Sequence, residues 1–165
     1  MLSFDGESKE TSVSGSMESA AQQALDRLQI LDLYGQYAIA YDDGDKVSLC
    51  ELFTEDAVFE VAGNVADMVN AARGAAAIAA LLVERQQALL PNRRRHLVTN
   101  VVFGSVASDD AQATAALVLL NVRDGRSSLH ATGNYVDWFS RGADRRWRFA
   151  SRTVSLDGPL PPAGV

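Results

Sequence analysis

The order of segments predicts an α+β fold: a curved antiparallel sheet, cone-shaped like a half-barrel, wrapped around three helices from the N-terminal half. Two observations carry this. Helical periodicity is confined to the part of the chain before Pro91, and strand-like segments joined by short polar turns fill most of the chain after it. A sheet that bends around helices on one face leaves a cavity inside the cone. Function is therefore sought in the residues that line it.

Residues 1–18, beginning MLSFDGESKETSVSGS, are polar and without a sustained period, as expected of a disordered tail or a leader. From about Ser19, Leu25, Leu28, Leu31, Ala38 and Tyr41 recur at helical spacing, and Ile30, Leu33, Tyr34 and Tyr37 widen the stripe. This predicts a long helix with one buried face. Asp42-Asp43-Gly44-Asp45 ends it, because glycine takes the left-handed conformation past a helix end and Asp45 can cap the next helix. That short second helix runs Lys46 to Phe53. Thr54-Glu55-Asp56 then turns into a first strand, AVFEVAG. Asn64 to Arg73 reads as a loop, and Gly74 opens a third helix that Pro91 stops. Four strands come after it, His96–Val106, Ala111–Arg123, Ser127–Ser140 and Trp147–Leu156, separated by turn signals such as Asp124-Gly125. Residues 158–165, rich in proline, should be an irregular tail.

A chain of 165 residues with 47% hydrophobic and 22% charged residues fits one domain, here 19–157, with a real core. A net charge of -6 gives no electrostatic footprint for nucleic acid. No apolar run approaches the roughly 18 residues of a membrane span, and the N-terminus has no apolar signal core, so a cytoplasmic protein is expected. The single cysteine, Cys50, sits on the apolar side of the second helix and reads as core packing. Two distant histidines and one cysteine give no metal-ligand spacing. There is neither a phosphate-cradling glycine loop nor a Gly-x-Ser-x-Gly elbow, and no cofactor is expected. The apolar strand Ala113–Val122 and the run Tyr135–Phe139 offer more sheet surface than three helices cover, which predicts a homodimer or homotrimer.

Several short motifs occur in a telling order: YAIAYDDGD with Tyr37 and Asp42, LFTEDAVFE, Gly74, HLVTN with His96 and Asn100, GNYVDWF with Gly133, Tyr135 and Asp137, and WRFASR with Trp147 and Arg152. In these the sequence resembles the SnoaL-like branch of the NTF2-like superfamily over roughly Ala20 to Asp157. The pattern is most similar to the scytalone and bile-acid dehydratase group, in which a Tyr, an Asp and a His line the mouth of the cone. Carried onto this chain, the resemblance implies a site of Tyr37, Asp42 and His96, with a late arginine at Arg152. One departure stands out. Scytalone dehydratase has a second histidine on a middle strand; the corresponding stretch, Ala113–Asn121, has none, and His130 lies one strand later.

The residues suit the chemistry that this implies. Removing a proton next to a carbonyl needs a base with a pKa near the working pH and a donor for the developing enolate oxygen. A histidine starts near that range, so His96 is the expected base, Asp42 the carboxylate that fixes its tautomer, and Tyr37 the phenol that polarises the carbonyl. Tyr34 or Tyr41 can stand in for Tyr37, and an aspartate base without the histidine stays open. On an ideal helix Tyr37 and Asp42 point roughly 140° apart, so the helix is expected to end or bend before Asp42. On strand parity Asn100 shares a face with His96 and is expected to contact substrate, as are Tyr34, Tyr41 and Arg152. His130 reads as a strand or interface residue. Arg93-Arg94-Arg95 reads as a solvated turn, or at a pocket mouth as a clamp for an anionic substrate. The expected activity is that of a dehydratase-like lyase or isomerase acting on a hydrophobic polycyclic or aromatic molecule. A non-catalytic ligand-binding or scaffold protein of the same fold is the alternative, followed by a polyketide cyclase or epoxide hydrolase.

Overall fold

The computed structural model describes residues 7–62 and 71–158. Along the chain these form α1 (Glu7–Asp43), α2 (Lys46–Glu51), β1 (Phe53–Ala62), β2 (Ala71–Arg73), α3 (Ala75–Gln87), β3 (Arg93–Val106), β4 (Asp110–Arg123), β5 (Arg126–Arg141) and β6 (Trp147–Leu156). The strands make one open sheet in the order β2-β1-β6-β5-β4-β3. Every neighbouring pair is antiparallel except β1 and β6, which run parallel. The helices before the long strands pack against one face, so the expected α+β half-barrel is the observed architecture. The expected irregular tail falls on residues 159–165, outside the described residues, apart from its first residue.

Local differences from the sequence-based expectation have physical causes. α1 begins at Glu7 rather than Ser19, since no proline interrupts the chain upstream and the helix continues through the segment expected to be a tail. β2 lies at the end of the stretch expected to be a loop and pairs with β1 through Val58↔Arg73 to Glu60↔Ala71; three residues are too few to show a strand period. β3 starts at Arg93, so the arginine run belongs to a strand and not to a turn.

The buried face of α1 also differs. Ile30, Leu33, Tyr34, Tyr37, Ala40 and Tyr41 face the core, whereas Leu25, Leu28 and Leu31 from the expected stripe are exposed, Leu28 by 60%. The N-terminal half of the buried face is held instead by Asp26. Its carboxylate accepts hydrogen bonds from Arg141 and from Gln22 at 2.8 Å, with the Trp147 indole at 3.4 Å, while the Arg141 guanidinium lies over the Trp147 ring. A charged anchor at this position is invisible to a hydrophobic period.

Bulges bend the sheet. Between β3 and β4, Thr99 pairs with Ala116 and Val102 with Thr114, which leaves one extra residue on β3, and Asn100 there has φ of 52°. Between β4 and β5, Leu119 pairs with Ala131 but Leu120 with Leu129, so His130 is the extra residue. Gly133 lies where β5 crosses β6 so closely that a Cβ would collide with the Ser155 carbonyl oxygen.

At the centre, Arg152 of β6 and Asp137 of β5 are both completely buried and joined by two hydrogen bonds of 2.8 and 2.9 Å. The Arg152 guanidinium stands 4.0 Å from the centres of the Tyr37 and Phe149 rings and 4.1 Å from that of Tyr135. Burial pulls the Arg152 pKa down, but the Asp137 charge and hydrogen bonds outweigh it and leave the pKa above its ordinary value. Truncating one partner leaves the other charge unpaired in the core. Asp137→Ala is therefore expected to lower the unfolding free energy by about 3–5 kcal/mol, and Leu28→Ser on the exposed side of α1 to change it by within about 0.5 kcal/mol. Urea denaturation followed by far-UV circular dichroism measures both; comparable losses would show that the buried face of α1 has been misassigned.

Candidate active site

The last turns of α1 and the start of β3 meet over the concave side of the sheet. Tyr37 and Tyr41, one helical turn apart, project from the same face of α1 into the cone. Gly44, with φ of 69°, turns the chain after Asp43, and the Gln86 side chain of α3 donates a hydrogen bond of 2.8 Å to the Asp42 carbonyl. These contacts fix the end of the helix beside β3.

Asp42 does not line the cavity. It sits behind His96, accepts the His96 backbone N–H at 3.1 Å and lies 2.6 Å from His96 Nδ1, with Arg95 Nη1 at 3.6 Å. The helix needs no bend before Asp42, because Tyr37 faces the cavity while Asp42 reaches sideways to the strand. An ionised carboxylate can only accept, so Nδ1 carries the proton that it shares with Asp42. Nε2 is then the ring nitrogen left for the cavity. Tyr41 stacks on the imidazole with ring centres 4.3 Å apart, and Tyr37 meets it edge-on at 6.5 Å. Burial pushes the His96 pKa below its ordinary 6.5; Asp42 opposes this, and Arg94 and Arg152 add to it. The imidazole is accordingly neutral at pH 7.

The cavity is narrow and open at its mouth, with about 50 Å³ available to the centres of water-sized molecules. Its walls are apolar, formed by Phe59, Val61, Leu117, Leu119, Val154 and Leu156, and its polar edges come from Tyr37, Tyr41, Tyr135, His96, Arg85 and Arg94. Burial raises the pKa of the Tyr37 phenol, partly offset by Arg152 beside it, so the hydroxyl stays protonated and able to donate. Burial also raises those of Tyr41 and Tyr135.

Tyr37, Asp42, His96 and Tyr41 thus converge, whereas three residues expected at the substrate do not reach the cavity wall. Asn100 is exposed because the bulge at its own position breaks the parity that would have turned it inward. Arg152 is sealed beneath the floor by Asp137 and the aromatic rings. Tyr34 packs edge-on against Phe139 and Phe149, with its hydroxyl close to Asp137. In turn Tyr135, Arg85 and Arg94 line the cavity without having been expected there, Arg94 because its run reads first as a turn. Arg94 was the most accessible of these from sequence, since it lies two residues before His96 on the same strand face. His130 is also at the site's edge, with Arg94 Nη2 donating to its Nε2 at 2.9 Å and the Asn121 amide 3.2 Å from Nδ1. Among the described residues no group of three His, Cys, Asp or Glu side chains is placed to hold a metal ion, and no helix is long and apolar enough to cross a membrane.

A family model described as a SnoaL-like domain matches residues 22–153. Among solved structures, an NTF2-like protein with a cystatin-like fold from Novosphingobium aromaticivorans is 25% identical, with a TM-score of 0.71 over 96% of each chain. A Catenulispora acidiphila protein in complex with S-DNPA is 27% identical, with a TM-score of 0.70 over 82% of this chain and 96% of that one. LinA, at 23% identity and a TM-score of 0.71 over 89% of this chain and 96% of its own, shares the fold. Among curated proteins none matches the sequence.

The geometry fixes a titration. In a 15N NMR titration, His96 is expected to be the Nδ1–H tautomer with a midpoint below 6.5, and Asp42→Asn is expected to lower that midpoint further by removing the group that raises it. Because the folded-state pKa is depressed, the neutral ring's contribution to stability is present above the unfolded-state value and fades as pH falls through the window beneath it. A midpoint above 6.5 would mean that the charge of Asp42, and not burial, governs the ring.

Proposed function

The chain belongs to the SnoaL-like family, and on that premise we propose that it is a lyase or isomerase that removes a proton next to the carbonyl of a hydrophobic polycyclic or aromatic molecule. One observation carries the reading: a neutral histidine, backed through Nδ1 by a buried aspartate, presents Nε2 to an apolar cavity beside a protonated phenol. The Catenulispora acidiphila protein of similar structure is in complex with S-DNPA, which supports a ligand-binding role for this fold.

In this reading His96 Nε2 takes the proton from the carbon next to the carbonyl, and the electron pair of that C–H bond moves toward the carbonyl oxygen. The Tyr37 hydroxyl donates to the oxygen as its charge grows, in a dry site where such a bond is strong. Asp42 stabilises the imidazolium that forms. In a dehydration the proton on Nε2 goes to the hydroxyl on the next carbon, whose C–O bond breaks to release water. In an isomerisation it goes to the far carbon of the enolate. Neither route leaves a net change in the protein.

Proton exchange read by NMR in deuterium oxide tests this with ketosteroids, hydroxyacyl thioesters and polyphenolic ketones. Exchange on a bound panel member is expected to fall by about 10²–10⁴ in His96→Ala and by about 10²–10³ in Tyr37→Phe. The acid limb of the rate profile should lie below pH 6.5, where His96 gains its proton, and should move further to acid in Asp42→Asn. Binding without exchange in the wild type would replace the catalytic reading by a ligand-binding one; exchange that survives His96→Ala would transfer the base elsewhere.

A further inference from the structure

At the mouth of the cavity, opposite the Asp42 side of His96, the charge pattern reverses. Arg94 of β3 and Arg85 of α3 both line the opening. The Arg85 guanidinium reaches the Tyr41 hydroxyl and lies over the Phe59 ring at 5.7 Å. Arg94 donates from Nη2 to His130, while its Nε is buried with no hydrogen-bond partner. No carboxylate among the described residues forms an ion pair with Arg94; the nearby acid, Asp42, is occupied by His96 and Arg95. Burial and the like charge of Arg85 both lower the Arg94 pKa. In a chain of net charge -6, a half-buried guanidinium that pairs with no carboxylate among the described residues is a costly arrangement.

Arg94 is also held in place. His130 is the extra residue of the bulge on β5, which turns its ring to the rim. A guanidinium has only donors, so His130 Nε2 must accept and Nδ1 must carry the proton. Asn121, opposite Arg94 in the β3–β4 register, flanks the other side of the ring with its amide nitrogen 3.2 Å from Nδ1, and a turn of the amide about its own axis brings its oxygen to that proton. His130 and Asn121 are positioning residues: they aim the guanidinium, and neither neutralises it.

We propose that Arg94, aimed by His130 and Asn121, forms an anion subsite that binds a carboxylate on the substrate. The substrate class is then a hydrophobic aromatic or polycyclic acid whose ring system fills the apolar walls. This rests on the reading of the cavity as a substrate site and adds the charged group that the substrate carries. A planar carboxylate matches the fork of a guanidinium and replaces the hydration that the cavity walls remove.

Isothermal titration at neutral pH with 2-naphthoate and with 2-naphthamide tests it, since the two differ in charge and hardly in shape. The wild type is expected to bind the acid about tenfold or more tightly than the amide, as a charge-assisted contact requires. Arg94→Gln should erase that preference. Arg94→Lys should restore part of it, and His130→Leu should reduce the ratio with an unaltered circular dichroism spectrum. Equal affinities in the wild type, a preference that survives Arg94→Gln, or no binding of either compound at millimolar concentration would overturn the proposal. Proton exchange measured on the same variants separates the two readings: acid preference without exchange retains the subsite and removes the lyase, and His96-dependent exchange without acid preference does the reverse.

Discussion

The buried ion pair between Asp137 and Arg152 is the constraint on which the cone depends. It joins β5 to β6 at the level where α1 crosses the sheet, and its cation is enclosed by Tyr34, Tyr37, Tyr135 and Phe149. Ring faces attract a cation, so one guanidinium organises side chains from α1, β5 and β6. The site inherits this order. Tyr37 shares its ring face with Arg152 and its edge with His96, and the Arg152 charge acts on both of their titrations. A residue that never reaches the cavity therefore sets the electrostatic level of its floor.

Much of the fold was legible because its elements are long and regular. The strands from β3 to β6 each run ten residues or more, and a period that persists over such a length is hard to mistake. The convergence of Tyr37, Asp42 and His96 on one end of the cone was legible from the family resemblance. The features that escaped have two causes. Bulges shift parity by one residue, which turned Asn100 out and His130 in, and an alternating pattern cannot reveal where a strand skips a step. Buried charges were the other cause. Asp26 and Arg152 occupy positions that a hydrophobic stripe assigns to solvent or to substrate, and only their partners Arg141 and Asp137, far along the chain, explain their burial.

The two sides of His96 have opposite electrostatic character, and the division arises from connectivity. Asp42 belongs to the end of α1 and approaches the ring from behind, whereas Arg94 is on the strand face of His96 itself and stands in the cavity beside it. A carboxylate behind the ring and a cation in front leave the histidine neutral while still offering a counter-charge at the moment of protonation. Had the acid stood in the cavity, it would repel an enolate as the enolate formed. In the proposed reaction, placing it behind the ring, with Arg94 and Tyr37 in front, leaves those two groups on the side of stabilising negative charge.

This arrangement also bears on what can enter. The apolar walls favour a ring system, but burying a neutral hydrocarbon against Arg94 would leave a guanidinium with neither water nor a counter-charge. A molecule that fills the walls and leaves the mouth hydrated avoids this cost, and one that carries an oxyanion at the mouth converts it into attraction. Selectivity of this kind comes from the penalty on the wrong ligand as much as from contacts with the right one. At the proposed subsite it would need no movement of the protein, because His130, flanked by Asn121, already holds Arg94 in position.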